Sequence, residues 1–266
     1  MLHVYIVPTD RIASFVGSRL VSQLCSCPDS ILGLATGSTP VLLYRDWASR
    51  VAAGEMSFSQ VISFNLDEYI GLSMNHNQSY RFYMEHNLFQ HIDIRPAYAH
   101  VPNGEATDLD KECRRYDSLI EQAGGIDWQL LGIGLNGHVG FNEPGPALQA
   151  GTHVVELSEQ TREANARFFS SMNEVPRQAI TVGMGSILKS RHIVMVATGI
   201  DKAEIVFKAL MGPVTTDVPA SFLQLHNDVV IVMDEAAASL LSNQEDQHGR
   251  QFHHMSKETS FQESPL

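Results

Sequence analysis

Short, nearly unbroken apolar runs separated by stretches of helical spacing recur along almost the whole chain, and this alternation restricts the fold more than any other feature. "LHVYIV" from Leu2, "ILGLA" from Ile31, "VISFNL" from Val61 and "WQLLGIG" from Trp128 each read as a buried strand, as do "AITVGM" from Ala179, "HIVMVAT" from His192 and "DVVIVMD" from Asp228. Between them, Ile12, Phe15, Val16, Leu20 and Leu24 fall at helical spacing, and helices are expected over about 80–89, 108–122 and 202–210. Strands that are apolar on both faces must be covered on both faces. A mostly parallel sheet with helices on each side does this, so the expected class is α/β. In such sheets ligands bind beyond the carboxyl ends of the strands.

The 266 residues, 44% of them hydrophobic, can bury a large core. No internal repeat and no Pro/Gly/Ser-rich linker divides them, so residues 1–242 are expected to form a single domain. From 243 to 266 the apolar periodicity is lost, and this stretch reads as a polar, mobile tail in which His248, His253 and His254 are solvated. No apolar run approaches the roughly 20 residues a membrane helix needs, and the first residues lack the pattern of a signal peptide, so a cytoplasmic location is expected. Cys25, Cys27 and Cys113 have neither the number nor the spacing of a disulfide framework or a zinc site, and they read as reduced, inert thiols. A formal net charge of −12 argues against nucleic acid or an anionic membrane as partner. An anionic substrate would then need backbone N–H groups and a few well-placed cations to hold it against that field.

Four strand ends carry the candidate chemistry. In "LATGSTPVLLY" a strand ends at Ala35, Thr36, Gly37, Ser38 and Thr39 make a polar turn, and Pro40 opens a helix behind a threonine able to cap it. Such a helix start offers free N–H groups and a positive dipole end to a phosphate, and it also serves as an ordinary strand-to-helix turn. In "FNLDEYIGL", Asp67 and Glu68 are neighbours on an extended segment and face opposite ways, so at most one of them enters a shared site. In "GIGLNGHVGFNEPG", Asn136, Gly137 and His138 form a tight turn with Glu143 five residues on. A histidine held in one tautomer by a carboxylate can exchange protons near neutral pH. In "TREANARFF", Arg162 and Arg167 are five apart on a helix, which lets one face a site and the other solvent, and Lys202 follows another strand end.

In their order and spacing, "ATGSTP", "FNLDEYIGL", "GIGLNGHVGFNEPG", "TREANARFF" and "ITVGMGSIL" resemble the glucosamine-6-phosphate deaminase (isomerase) family, from near the N-terminus to about Leu241. The "GHVGFNEPG" element is the most specific; the related 6-phosphogluconolactonases typically continue this turn as "DGHTASLFPG". The resemblance implies a Rossmann-like α/β sandwich. It also implies conversion of glucosamine 6-phosphate and water into fructose 6-phosphate and ammonium, in amino-sugar catabolism, with no metal and no organic cofactor. By the same resemblance, Thr36, Gly37, Ser38 and Thr39 would hold the phosphate with Arg167 and Lys202. Asp67 would move the carbon-bound proton, and His138, oriented by Glu143, would open the sugar ring. Asn136 stands where some relatives carry aspartate, which leaves Glu143 as the negative charge beside His138. Where relatives activated by N-acetylglucosamine 6-phosphate carry basic residues, this chain has Pro146, His153 and Val155, so that activation is expected to be absent. A galactosamine-6-phosphate deaminase, a lactonase and a non-catalytic sugar-phosphate sensor remain as alternatives. So does a homo-oligomer, since the family includes both monomers and hexamers.

Overall fold

Leu2–Ile6 (β1) leads into the helix Ile12–Ser26 (α1), and the alternation continues through Ile31–Leu34 (β2), Ser38–Ala52 (α2) and Ile62–Asn65 (β3). Asp67–Tyr69 (β4), Tyr80–Asn87 (α3), Ala99–His100 (β5), Leu109–Ala123 (α4) and Trp128–Leu131 (β6) follow. The second half carries His153–Glu156 (β7), Glu159–Ala166 (α5), Gln178–Thr181 (β8), Met184–Leu188 (α6), His192–Ala197 (β9), Ala203–Met211 (α7), Val229–Met233 (β10) and Gln251–His254 (β11). This computed structural model describes residues 2–241 and 251–255. Among the described residues, no helix is long and apolar enough to cross a membrane.

Eight strands form one parallel sheet in the order β11-β1-β10-β9-β6-β2-β3-β5. β2, β6 and β10 are buried at every position, as strands covered by helices on both faces must be. From β2 the chain steps outward through β3 to β5, and from β6 it steps the other way through β9 to β10. The connections leaving β2 and β6 therefore diverge, and they open a crevice at the carboxyl ends of these two neighbours.

The structure departs from the sequence reading in four places. The run "AITVGM" does not join the main sheet: β8 is the middle strand of a small antiparallel sheet, β4-β8-β7. "FNLDEY" is divided at Leu66, whose carbonyl accepts the Val182 N–H, so that β3 stays in the main sheet while Asp67 pairs with Thr181. α2 begins at Ser38, earlier than Pro40 suggests; its N-cap is Gly37, with φ +104°, and no side chain caps it. Thr39 therefore does not cap, and the first N–H groups of α2 have no side-chain partner. Finally, part of the stretch expected to be tail forms β11, which adds in parallel to β1 and places the His253 ring 4.6 Å from Tyr5 and 5.9 Å from His3. An edge strand presents an open row of N–H and C=O groups to any such segment. His248, 242–250 and 256–266 lie outside the described residues.

The cysteines are free thiols, Cys25 and Cys27 exposed and Cys113 buried. Burial, reinforced by Asp110, Asp117 and Glu112, pushes the Cys113 thiol up to about 11 and keeps it protonated.

Candidate active site

The crevice between β2 and β6 deepens into a cavity of about 410 Å³. Thr36, Gly37, Ser38 and Thr39 line it from the turn after β2, and Asp67 from β4. Asn136 and His138 reach it from the loop after β6, Arg167 from the end of α5, and Lys202 from the turn before α7. Each of these residues was singled out in the sequence; Glu143 stands outside the lining, behind His138. A second hollow, of about 460 Å³, lies near the amino ends of β2 and β3, where its carboxylate, Asp93, already accepts the Phe58 N–H and the Ser57 hydroxyl. The chemistry is concentrated in the first cavity.

One end of this cavity suits an anion. The start of α2 turns its free N–H groups toward it, and Gly37 holds a backbone angle that only glycine adopts without strain. Lys202 donates from Nζ to the Ile133 carbonyl at 2.8 Å. Burial lowers its pKa, Arg167 lowers it further and Asp201 opposes them. Two cations thus share a confined space, which an anionic ligand would relieve. Of the two arginines of "TREANARFF", Arg162 donates to the carbonyls of Met172 and Val175, and Arg167 is the one that faces the cavity. The Lys202 turn is fixed from behind by Asp234, whose two oxygens accept the Gly199 N–H at 3.1 Å each.

The other end holds the titratable groups. Asp67 is 6% exposed, and burial, with the charge of Glu68 added, pushes its pKa up to about 8. A carboxylate with so little solvation is a far stronger base than one in water. Glu68 points away, as the extended backbone requires, and its carboxylate accepts the N–H groups of Tyr69, Tyr80 and Arg81.

His138 sits on a loop closed by a bond from the Gly134 N–H to its carbonyl and one from its own N–H to Asn136 Oδ1. Its Nδ1 is 3.5 Å from Glu143 Oε1, facing that carboxylate but too poorly aligned for a hydrogen bond. Glu143 is held on all sides: Oε2 accepts from Asn136 Nδ2 at 2.6 Å and from the Ser158 hydroxyl at 3.2 Å, and Oε1 accepts from the Thr161 hydroxyl at 2.6 Å. Burial alone would raise its pKa, but His138, Thr161 and Asn136 together outweigh burial and lower it, so the charge beside the imidazole persists. The imidazole lies directly over Gly134, where a Cβ would come within 2.4 Å of the ring. Gly134→Ala is therefore expected to displace the ring and cost about 10²-fold in activity, while circular dichroism reports an unchanged fold. A variant as active as the parent protein would show that the ring need not sit there.

Four contributing residues carried no signal strong enough to be chosen from sequence. Ser158 and Thr161, which hold Glu143, form the capped start of α5; the S-x-x-T spacing marks the cap but not what the hydroxyls hold. Tyr80 and Phe141 line the cavity with their rings stacked 6.0 Å apart. Aromatic residues at such spacings are ordinarily core. Among the described residues, no three His, Cys, Asp or Glu side chains are grouped as metal ligands.

The chain is similar to known proteins along most of its length. The family model described as glucosamine-6-phosphate isomerases/6-phosphogluconolactonase matches residues 9–232. A glucosamine-6-phosphate deaminase of Clostridium perfringens (strain 13 / Type A) is 54% identical over 87% of this chain and 96% of its own length. One of Thermoanaerobacter sp. (strain X514) is 53% identical over 84% and 88%, respectively. A solved structure described as a monomeric glucosamine-6-phosphate deaminase superposes with a TM-score of 0.87 at 45% identity, covering 90% of this chain and all of that one. A 6-phosphogluconolactonase of Thermotoga maritima, 19% identical with a TM-score of 0.70, shares the fold.

Proposed function

The chain belongs to the glucosamine-6-phosphate isomerase/6-phosphogluconolactonase family, and from that membership we propose the following course for its reaction, the deamination of glucosamine 6-phosphate to fructose 6-phosphate and ammonium. The supporting observation is that Asp67 and His138 face one cavity whose far end carries the α2 amide groups, Arg167 and Lys202. The phosphate binds at that far end and so fixes the distance of the sugar from the two proton-transfer groups. His138 accepts the proton of the 1-hydroxyl and delivers one to the ring oxygen, which opens the ring to the aldehyde; Glu143 stabilises the imidazolium formed on the way. Asp67 then removes the proton from C2, giving an enolamine, and returns it to C1, giving an imine at C2. Water adds to that carbon and ammonia leaves, so the ketone is the product. A phosphorylated sugar fits a cytoplasmic enzyme, and the likeness to a solved structure described as a monomeric glucosamine-6-phosphate deaminase supports a monomer.

Because an uncharged Asp67 carboxyl cannot take a proton, kcat/KM is expected to climb with pH toward about 8, where this carboxyl ionises in the empty site. Lys202→Met is expected to lower kcat/KM by about 10- to 100-fold, in line with the loss of one charge-assisted hydrogen bond, and to weaken inhibition by inorganic phosphate by a similar factor. Unchanged phosphate inhibition would remove Lys202 from the anion site. The decisive assay is ammonium release from glucosamine 6-phosphate, coupled to detection of fructose 6-phosphate, with galactosamine 6-phosphate in parallel. Turnover of only the second sugar would keep the mechanism and change the substrate. Silence with both would return the lactonase and sensor readings. A hyperbolic rate curve, unaltered by N-acetylglucosamine 6-phosphate, is the form expected with Pro146, His153 and Val155 in place of basic residues.

A further inference from the structure

The buried acid beside the base has no part in this mechanism. Glu68 is 3% exposed and directly follows the base. Its Oε1 accepts the N–H groups of Tyr69 and Tyr80, each at 2.8 Å, and its Oε2 accepts that of Arg81 at 2.9 Å. Tyr80 and Arg81 are the first two residues of α3, whose next two N–H groups are taken by the hydroxyl and carbonyl of Ser79. All four amides at this helix start are thereby satisfied, half of them by a side chain from β4.

What Glu68 fixes in place borders the site on two sides. The Tyr80 ring is stacked on Phe141 and tilted 4.7 Å from that of Tyr69, and its hydroxyl lies beside that of Thr36. One turn later, the Tyr83 hydroxyl donates to the Gly37 carbonyl at 2.6 Å. α3 is thus a strut between the strand of the base and the turn that receives the phosphate. The loop 103–105 closes over its foot: a Cβ on Gly104 would lie 2.0 Å from the Tyr69 carbonyl and 3.3 Å from Glu68 Cγ.

Resting on the deaminase reading, we propose that Glu68 is a positioning residue of the reaction, which locks the first turn of α3 and thereby holds the Tyr80 ring against the reacting end of the sugar beside Asp67. Its charge has a second effect. Glu68 adds to the burial that raises Asp67, and its own carboxyl is pushed up to about 7 by burial, against the three N–H bonds, with Glu105 adding to the rise. The other groups around the two acids are the phenols of Tyr44, Tyr69, Tyr80 and Tyr116. The Arg81 guanidinium is directed to the Ala99 carbonyl and Glu85, and the Glu105 carboxylate to the Met74 N–H.

The test is a double-mutant cycle between Glu68→Gln and Tyr80→Ala, with pH profiles of the parent protein and of Glu68→Gln on glucosamine 6-phosphate. Glu68→Gln is expected to lower kcat about 10-fold in the parent and to have almost no effect once Tyr80 is alanine, with KM changed less than about threefold. The acid limb of its kcat/KM profile is expected to move to lower pH, because Asp67 loses a like charge, and a merely structural role would not produce that shift. Hydrogen exchange at the amides of Tyr80 and Arg81 is expected to quicken. Equal losses from Glu68→Gln in both backgrounds, or an unmoved acid limb, would overturn the proposal while leaving the deaminase reading intact. A parent protein without turnover would overturn both.

Discussion

Asp67→Asn is expected to lower kcat by about 10²- to 10⁴-fold and, at the same time, to make the protein more stable. The loss follows from chemistry: the amide fits the same space beside Gly140 but cannot carry the C2 proton to C1. The gain follows from linkage. The Asp67 carboxyl is raised in the folded protein to about 8, so the folded state tolerates the neutral form and resists the charged one. Its ionisation therefore removes stability progressively as pH rises from the usual carboxylate range to about 8, after which the cost stays constant. An amide never ionises and never incurs that cost. At pH 8 the variant's Tm should exceed the parent's by about 2–4 °C for each kcal/mol relieved, whereas near pH 4 the two should melt together. The measurement is a pair of melting curves at the two pH values beside an ammonium-release assay. Near-normal turnover would remove Asp67 from the mechanism, and a lower Tm at pH 8 would show that its burial is better compensated than the geometry indicates.

His138→Gln should fall by a comparable factor of about 10² to 10⁴ for a different reason. Glutamine can fill the space over Gly134 and still donate a hydrogen bond, but it cannot hold a proton taken from one oxygen and give it to another. The step lost is ring opening, and everything after it is intact. An acyclic analogue of the substrate, 2-amino-2-deoxyglucitol 6-phosphate, has no ring to open, so it should bind the variant and the parent with affinities within about threefold. If the analogue loses as much affinity as the substrate loses turnover, His138 is a binding contact and not a proton carrier. Glu143→Gln offers the complementary comparison: the Asn136, Ser158 and Thr161 contacts can be partly kept while the charge beside the imidazole is removed.

Much of this protein was legible along the chain, because the relevant physics is local. Unbroken apolar runs declare strands covered on both faces; Asp108 before α4 and the left-handed Gly124 after it declare a helix and its ends. The tight glycine turns and the residues at strand ends are equally local, so Thr36 to Thr39, Asn136, His138, Glu143 and Lys202 could be singled out without coordinates, whereas the choice of Asp67 over Glu68 and of Arg167 over Arg162 came only with the family resemblance. The opposite facing of Asp67 and Glu68 needed only the two-residue period of an extended chain.

Other features could not be read this way. β8 has the composition of a main-sheet strand, and its place in the small antiparallel sheet is decided by pairing with β4 and β7, more than 100 residues before it and about 25 before it. Nothing in Ser158, Thr161 or Tyr80 reveals that two of them hold Glu143 and that the third stacks on Phe141 at the cavity wall. Residue types and backbone periods, then, determined the class of fold and the inventory of chemical groups. Tertiary structure alone decided which groups meet, how far Asp67 is withdrawn from water, and that Glu68 turns from the cavity to tie down α3. Burial and hydrogen-bond partnership arise between segments distant in sequence, and a pKa raised by desolvation belongs to that assembled environment and not to the residue itself.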